Sequence, residues 1–129
     1  MTKKNYLQDI EDFLEEKRNP VELLNAIFKF LNFKPVEIKI YNLLLKTSMT
    51  IKQIEHSLNV SERTIRKYIK RLGQEGFIVK KVEEGDRLRY IYRAVPVQEV
   101  WEKVKQKIEN ILEEITKSIE TASAVAVDS

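Results

Sequence analysis

Arg63, Arg66, Lys67, Lys70 and Gln74 recur at intervals of one, three and four residues. At about 100° per residue on an α-helix they gather on one side, while Ile65, Tyr68, Ile69 and Leu72 gather on the other. Such a helix pins one face to a core and offers the other as a row of guanidinium and ammonium groups. That chemistry suits a polyanion. A guanidinium matches the acceptor edge of guanine in the major groove of DNA, and an ammonium group matches phosphate oxygens. A merely solvated face ordinarily mixes signs, whereas Glu62 is the one acid here, at the edge of the arc in the first turn, where the helix dipole favours it.

The wider charge distribution agrees. The formal net charge is only +3, but the stretch from Ser61 to Arg93 holds ten basic and five acidic residues, a balance of +5. From Ala94 onward four lysines face seven acids, a balance of −3. Within the basic stretch, Arg63 stands near the helix N-terminus, where base edges are usually reached, and is the first candidate for a bidentate contact to guanine. Arg66 and Lys67 come next, and Lys70 and Arg71 are expected to meet phosphate. Ser61 and Thr64 offer hydroxyls to a nucleic-acid backbone, and the helix N-terminus itself favours an anion. Farther on, Arg87 is expected to enter a minor groove and Arg89 to track the flanking phosphates.

Other chemistries are poorly provided for. The 129-residue chain has no cysteine, which removes disulfides, thiolate nucleophiles and zinc fingers, and its one histidine, His56, cannot build a metal site alone. His56 reads as a surface residue. No Ser/His/Asp set, glycine-rich phosphate loop or ligand cluster is present, so the sequence predicts neither an enzyme nor a cofactor. No apolar run approaches the roughly 18 residues of a membrane span, and Met1 to Tyr6 lacks the pattern of a secretory signal, so a cytoplasmic location is expected.

The basic helix needs a frame. Tyr6, Leu7, Ile10, Phe13 and Leu14 predict a short amphipathic helix ending near Lys17 and Arg18. Asn19-Pro20 starts a second, carrying Val21, Leu24, Ile27, Phe28 and Leu31, and Pro35 a third, so apolar from Val36 to Leu45 that it must be the central core helix. Thr50 caps a short fourth helix with Ile51, Ile54 and Leu58. Asn59-Val60 turns the chain, and Ser61 caps the basic helix. Gly76 sits where a left-handed C-cap belongs, while Gly73, inside the last turn, costs about 1 kcal/mol relative to alanine. Strands are expected at Phe77 to Val82 and Arg87 to Ala94, joined by Glu83 to Asp86, with Leu88 and Tyr90 facing inward and the arginines outward. The order helix, tight turn, capped helix, hairpin is that of a winged helix-turn-helix, mainly α with a small β-hairpin.

These residues resemble a known group. Residues 35–96, above all Pro35 to Leu44, Val60-Ser61-Glu62-Arg63-Thr64-Ile65, Leu72-Gly73-Gln74-Glu75-Gly76-Phe77-Ile78 and Arg89 to Pro96, are similar to small archaeal winged-helix regulators. The nearest in kind are the TrmB-like N-terminal domains and the Lrs-like regulators of crenarchaea, with the MarR family more distant. The resemblance implies a dimer that binds double-stranded DNA through the recognition helix 61–74 and the wing 77–94. It does not imply sugar sensing, because the large sugar-binding domain of TrmB proteins is not expected in these residues. MarR proteins often carry Asp-x-Arg in the wing, where this chain has Asp86-Arg87-Leu88.

After Pro96, residues 97–122 predict a long helix whose Trp101, Val104, Ile108, Ile111 and Ile115 follow coiled-coil spacing, with Leu112 and Ile119 widening the stripe. Left exposed, it would be an unusually large apolar patch, so a homodimer through these residues is expected. Residues 1–34 are read as N-terminal helices packing on the core or the dimer seam, 35–96 as the DNA-binding domain and 123–129 as a flexible tail. The rival reading is a winged-helix protein-interaction module of transcription or replication machinery that reads no bases.

Overall fold

The computed structural model describes residues 6–16 and 19–128. Within them six helices and one hairpin follow in order: α1 (Tyr6–Glu16), α2 (Pro20–Phe30), α3 (Pro35–Lys46), α4 (Ile51–Leu58), α5 (Glu62–Gln74), β1 (Ile78–Glu83), β2 (Arg89–Ala94) and α6 (Val97–Asp128). The fold is a winged helix-turn-helix with added N-terminal helices and a long C-terminal helix. The expected end of the first helix at Lys17 and Arg18 lies outside the described residues.

Local chemistry sets most boundaries. Asn19 Oδ1 accepts the Val21 N–H at 2.8 Å, ahead of Pro20, whose fixed φ favours the first turn. Thr50 and Gln53 cap α4 reciprocally: Thr50 Oγ1 accepts the Gln53 N–H at 3.2 Å and Gln53 Oε1 accepts the Thr50 N–H at 2.8 Å. Asn59, at φ 53°, ends α4 in the left-handed region, and two residues later Ser61 Oγ accepts the Thr64 N–H to open α5. The turn between the two helices is therefore fixed by residues of short polar type. At the far end of α5, Gly76 at φ 79° completes a left-handed cap in which Gly76 N–H bonds Gly73 O and Phe77 N–H bonds Leu72 O.

The core of residues 1–97 is built where these helices meet. Ile40, Tyr41 and Leu44 of α3, Ile54 of α4, and Ile65 and Leu72 of α5 are almost fully buried. Phe28, Phe33, Tyr41 and Phe77 form an aromatic cluster with ring centroids 5.1–5.7 Å apart, so α2 is part of this core. The buried Tyr41 hydroxyl donates to Val95 O at 2.8 Å, fixing the chain as it leaves the hairpin, and burial pushes its phenol pKa well above the ordinary value. Met49 exchanges two backbone hydrogen bonds with Tyr92, docking the hairpin onto the segment between α3 and α4.

The hairpin pairs antiparallel from Ile78 with Ala94 to Glu83 with Arg89. Its second strand begins two residues later than the sequence predicts, so Arg87 and Leu88 belong to the five-residue tip 84–88. Leu88 is 74% exposed, and Tyr90 54% exposed, which corrects the expectation that both pack inward. Tyr90 does share the face of buried Tyr92, as period two requires, but it stands beyond the edge of the core.

Residues 98–129 form a second compact unit. Helix α6 runs to Asp128, past the expected end at Ala122 and through most of the stretch read as a tail, with no glycine or proline to interrupt Ser123 to Asp128. Val104, expected at a dimer seam, is 1% exposed in a single copy of the chain. Trp101 is 37% exposed, Ile108 is half-buried, and Ile111, Leu112, Ile115 and Ile119 are exposed.

Candidate nucleic-acid interface

Helix α5 separates its chemistry sharply. Ile65, Ile69 and Leu72 are buried, and Arg63, Arg66, Lys67, Lys70 and Gln74 are exposed on the opposite side. Arg66 is held by Glu62 one turn back, with Nη2 to Oε1 at 2.7 Å, and its side chain remains 61% exposed. Between exposed groups on one helix this pair is weak, so Arg66 can leave Glu62 for a phosphate at little cost. Lys67 Nζ lies 5.6 Å from the Tyr68 ring centroid.

Ser61 and Thr64 are brought together at the N-terminus of α5. The Ser61 hydroxyl accepts the Thr64 N–H at 3.3 Å and donates to Thr64 Oγ1 at 3.0 Å. Its proton is spent inside the cap, so of the two hydroxyls Thr64 is the one whose proton can serve an outside acceptor.

Arg71, expected to meet phosphate, has a partner within the chain. Its guanidinium Nη1 donates to Glu37 Oε1 at 2.7 Å, and its Cζ sits 4.3 Å from the Phe33 ring centroid. Glu37 is completely buried, and the same Oε1 accepts the Lys34 N–H at 2.9 Å at the start of α3. On the helical wheel Arg71 lies between Lys67 and Tyr68, at the edge of the basic row. It links α5 to α3 while its side chain stays 39% exposed.

In the wing, residues that pair directly share a face. Ile78, Lys80, Val82, Tyr90, Tyr92 and Ala94 form one face, and Val79, Lys81, Glu83, Arg89, Ile91 and Arg93 the other. The first is anchored by buried Ile78, Tyr92 and Ala94, and its outer half carries Lys80 with Nζ 3.8 Å from the Tyr90 ring centroid. Arg89 lies on the second face, bonded to its cross-strand partner Glu83 at 2.6 Å. Arg87 is exposed at the tip. Lys80 and Tyr90 are thus wing residues that sequence reasoning does not place at the site. The period-two count from buried Ile78 to Lys80 is the signal that finds Lys80.

A groove of about 400 Å³ runs between α5 and the hairpin. Arg66, Lys70 and Lys80 line it together with Ile51, Ile69, Ile78 and Tyr92, and Gly73 and Gln74 complete it. Among the described residues no group of three or more His, Asp or Glu is placed to hold a metal ion, and no helix is long and apolar enough to cross a membrane. His56 is exposed.

Comparison with known proteins agrees with this architecture. Residues 28–98 match the family model described as the sugar-specific transcriptional regulator TrmB. Among solved structures, a possible transcriptional regulator from Methanosarcina mazei Go1 is similar with TM-score 0.64 at 13% identity, over 76% of this chain and 86% of that one. The transcriptional regulator Tm0710 from Thermotoga maritima is similar with TM-score 0.52 at 24% identity, over 92% of this chain and 87% of that one. Both likenesses are of fold. No curated protein matches the chain at a significant level.

Proposed function

The chain belongs to the TrmB family of transcriptional regulators, and from that premise we propose that it acts as a homodimer on double-stranded DNA, with α5 in the major groove and the wing on the adjacent minor groove or backbone. The observation that carries this reading is the row of Arg63, Arg66, Lys67 and Lys70, all exposed, on a helix whose other face is buried in the core. A helix held so firmly by Ile65, Ile69 and Leu72 presents its cations as a rigid surface, which is what insertion into a groove requires.

Arg63 in the first turn takes the base-reading role, with Lys67 one turn on. Arg66, Lys70 and Thr64 meet phosphates. Arg87 at the wing tip reaches the minor groove or its edge, where a narrow groove attracts arginine. Arg89 serves the backbone on exchanging Glu83 for phosphate, and Ser61 acts by capping the helix more than by direct contact.

Dimerisation through α6 is supported by the exposure of Ile111, Leu112, Ile115 and Ile119, which range from 46% to 60% exposed along consecutive turns. A row of this kind is costly in water and cheap against a second copy of itself. Trp101 and Ile108 border it. A two-fold axis there sets two recognition helices for successive major grooves about 34–36 Å apart.

Binding to promoter-derived and random duplexes across a salt series tests the proposal. Affinity that falls steeply with salt and differs between sequences supports it. Absence of binding at low salt refutes it, in favour of a winged helix that docks onto protein.

A further inference from the structure

Gly73 has no internal reason to be glycine. It lies in the last full turn of α5, where glycine costs a helix about 1 kcal/mol relative to alanine. Its φ is outside the left-handed region, since Gly76 is the glycine of positive φ among the described residues. A Cβ built on it meets nothing within 4 Å. Neither backbone conformation nor packing within the chain calls for a missing side chain at this position.

What Gly73 does is open the groove between α5 and the hairpin. It lines that groove beside Lys70 and Arg66 from its own helix, and Lys80 faces in from β1. Three cations thus border a trough whose floor is Ile69, Ile78 and Tyr92. Duplex geometry says what passes there. The major and minor grooves of B-DNA are separated by a sugar-phosphate strand, so a protein with a helix in one and a hairpin at the next must let that strand run between the two elements.

We infer that the trough over Gly73 is the seat of this strand: its phosphates are met by Arg66, Lys70 and Lys80, and Gly73 is glycine to let the sugar-phosphate chain approach the helix backbone. The inference rests on the proposed mode of DNA binding and adds to it a specific strand path, a phosphate contact at Lys80 and a role for a residue that bears no side chain. Ile69, Ile78 and Tyr92 suit the sugar carbons, and Lys80, 3.8 Å from the Tyr90 ring centroid, is held at the rim before the strand arrives.

The test compares the full chain with Gly73→Ala, Gly73→Leu, Lys80→Ala and Arg63→Ala/Lys67→Ala, measuring thermal stability and duplex binding over a salt series. Both Gly73 variants are expected to melt at or above the wild-type temperature, because each replaces a helix glycine with a better helix former in open space. Gly73→Leu is expected to bind duplex at least about tenfold more weakly, because the leucine side chain holds the sugar-phosphate strand off its seat, with Gly73→Ala between it and wild type. Lys80→Ala is expected to lower the slope of log affinity against log salt by about 0.9 per subunit, the share of one phosphate. Wild-type binding by a folded Gly73→Leu protein, or an unchanged salt slope in Lys80→Ala, overturns the inference. If Arg63→Ala/Lys67→Ala loses binding in the same series, the recognition-helix reading stands while the strand path falls; if that variant also binds as wild type, both fail.

Discussion

Arg71 of α5 and Glu37 of α3 are joined by a 2.7 Å ion pair, although 34 residues separate them in the chain. The carboxylate is fully buried and also accepts the Lys34 N–H, while the guanidinium is 39% exposed and lies against the face of Phe33. One carboxylate oxygen thus joins the start of α3 to α5. Arg71 is thereby tied to α3, while Arg63, Lys67 and Lys70 of the same helix are exposed.

Removing one partner is expected to cost more than removing both. Arg71→Ala leaves the Glu37 carboxylate buried without its counter-charge, and the loss should be about 2 kcal/mol, below the full figure for a buried pair because Arg71 is partly in water. A Glu37→Met/Arg71→Met protein should recover much of this loss. Chemical denaturation of the two variants and wild type checks the order. A double variant less stable than Arg71→Ala would show that the pair itself is a net source of stability.

Tyr41 predicts a response to alkali. Its hydroxyl is a buried donor to Val95 O, and burial raises its pKa above the ordinary value near ~10. A group whose folded pKa is raised contributes stability that is complete below its unfolded pKa and is lost as pH climbs through the folded one. Stability should therefore fall above pH ~10 more steeply in wild type than in Tyr41→Phe. At neutral pH the Phe variant should be less stable by about 1 kcal/mol, because Val95 O loses its donor. Denaturation midpoints at neutral and alkaline pH measure both effects, and parallel pH profiles would contradict the assignment.

The exposed face of α6 makes a third prediction. Ile111→Lys/Ile115→Lys places two charges in the row that a partner helix would cover, and sedimentation should change from dimer to monomer. The hairpin and core, which belong to residues 1–97, should melt little changed. A monomer neutralises half as many phosphates, so the salt slope of duplex binding should fall toward half its wild-type value. A wild-type chain that sediments as a monomer at the concentrations used for binding would remove the basis of the paired-groove geometry.

Much of this molecule is legible in its sequence because its signals are local. Asn19-Pro20, Thr50 with Gln53, Ser61 and Gly76 each satisfy or terminate backbone groups within a few residues of themselves, and the helices begin and end where these residues stand. The two-sided character of α5 is equally local. What the sequence conceals depends on distance. Whether Arg71 faces solvent is decided by Phe33 and Glu37, which no window around α5 contains. The heptad spacing puts Val104 and Ile111 in one class, yet of the two Ile111 is exposed and Val104 is not. In the hairpin the alternation places Tyr90 correctly on the inner face, but alternation does not say where the core beneath that face ends, so Leu88 and Tyr90 are exposed. Lys80 is hidden from a sequence reading for the same reason: its value comes from the groove it shares with α5, and grooves are made by neighbours in space.

The central claim is that the exposed cations of α5 enter a major groove. The most direct measurement is the affinity of wild type and Arg63→Ala/Lys67→Ala for promoter-derived and random duplexes as salt is varied. We predict that the double variant retains the wild-type fold and melting temperature, loses most of its preference for specific over random duplex, and binds what remains with a shallower salt slope. Undiminished sequence preference in a folded double variant would contradict the claim and move recognition away from α5.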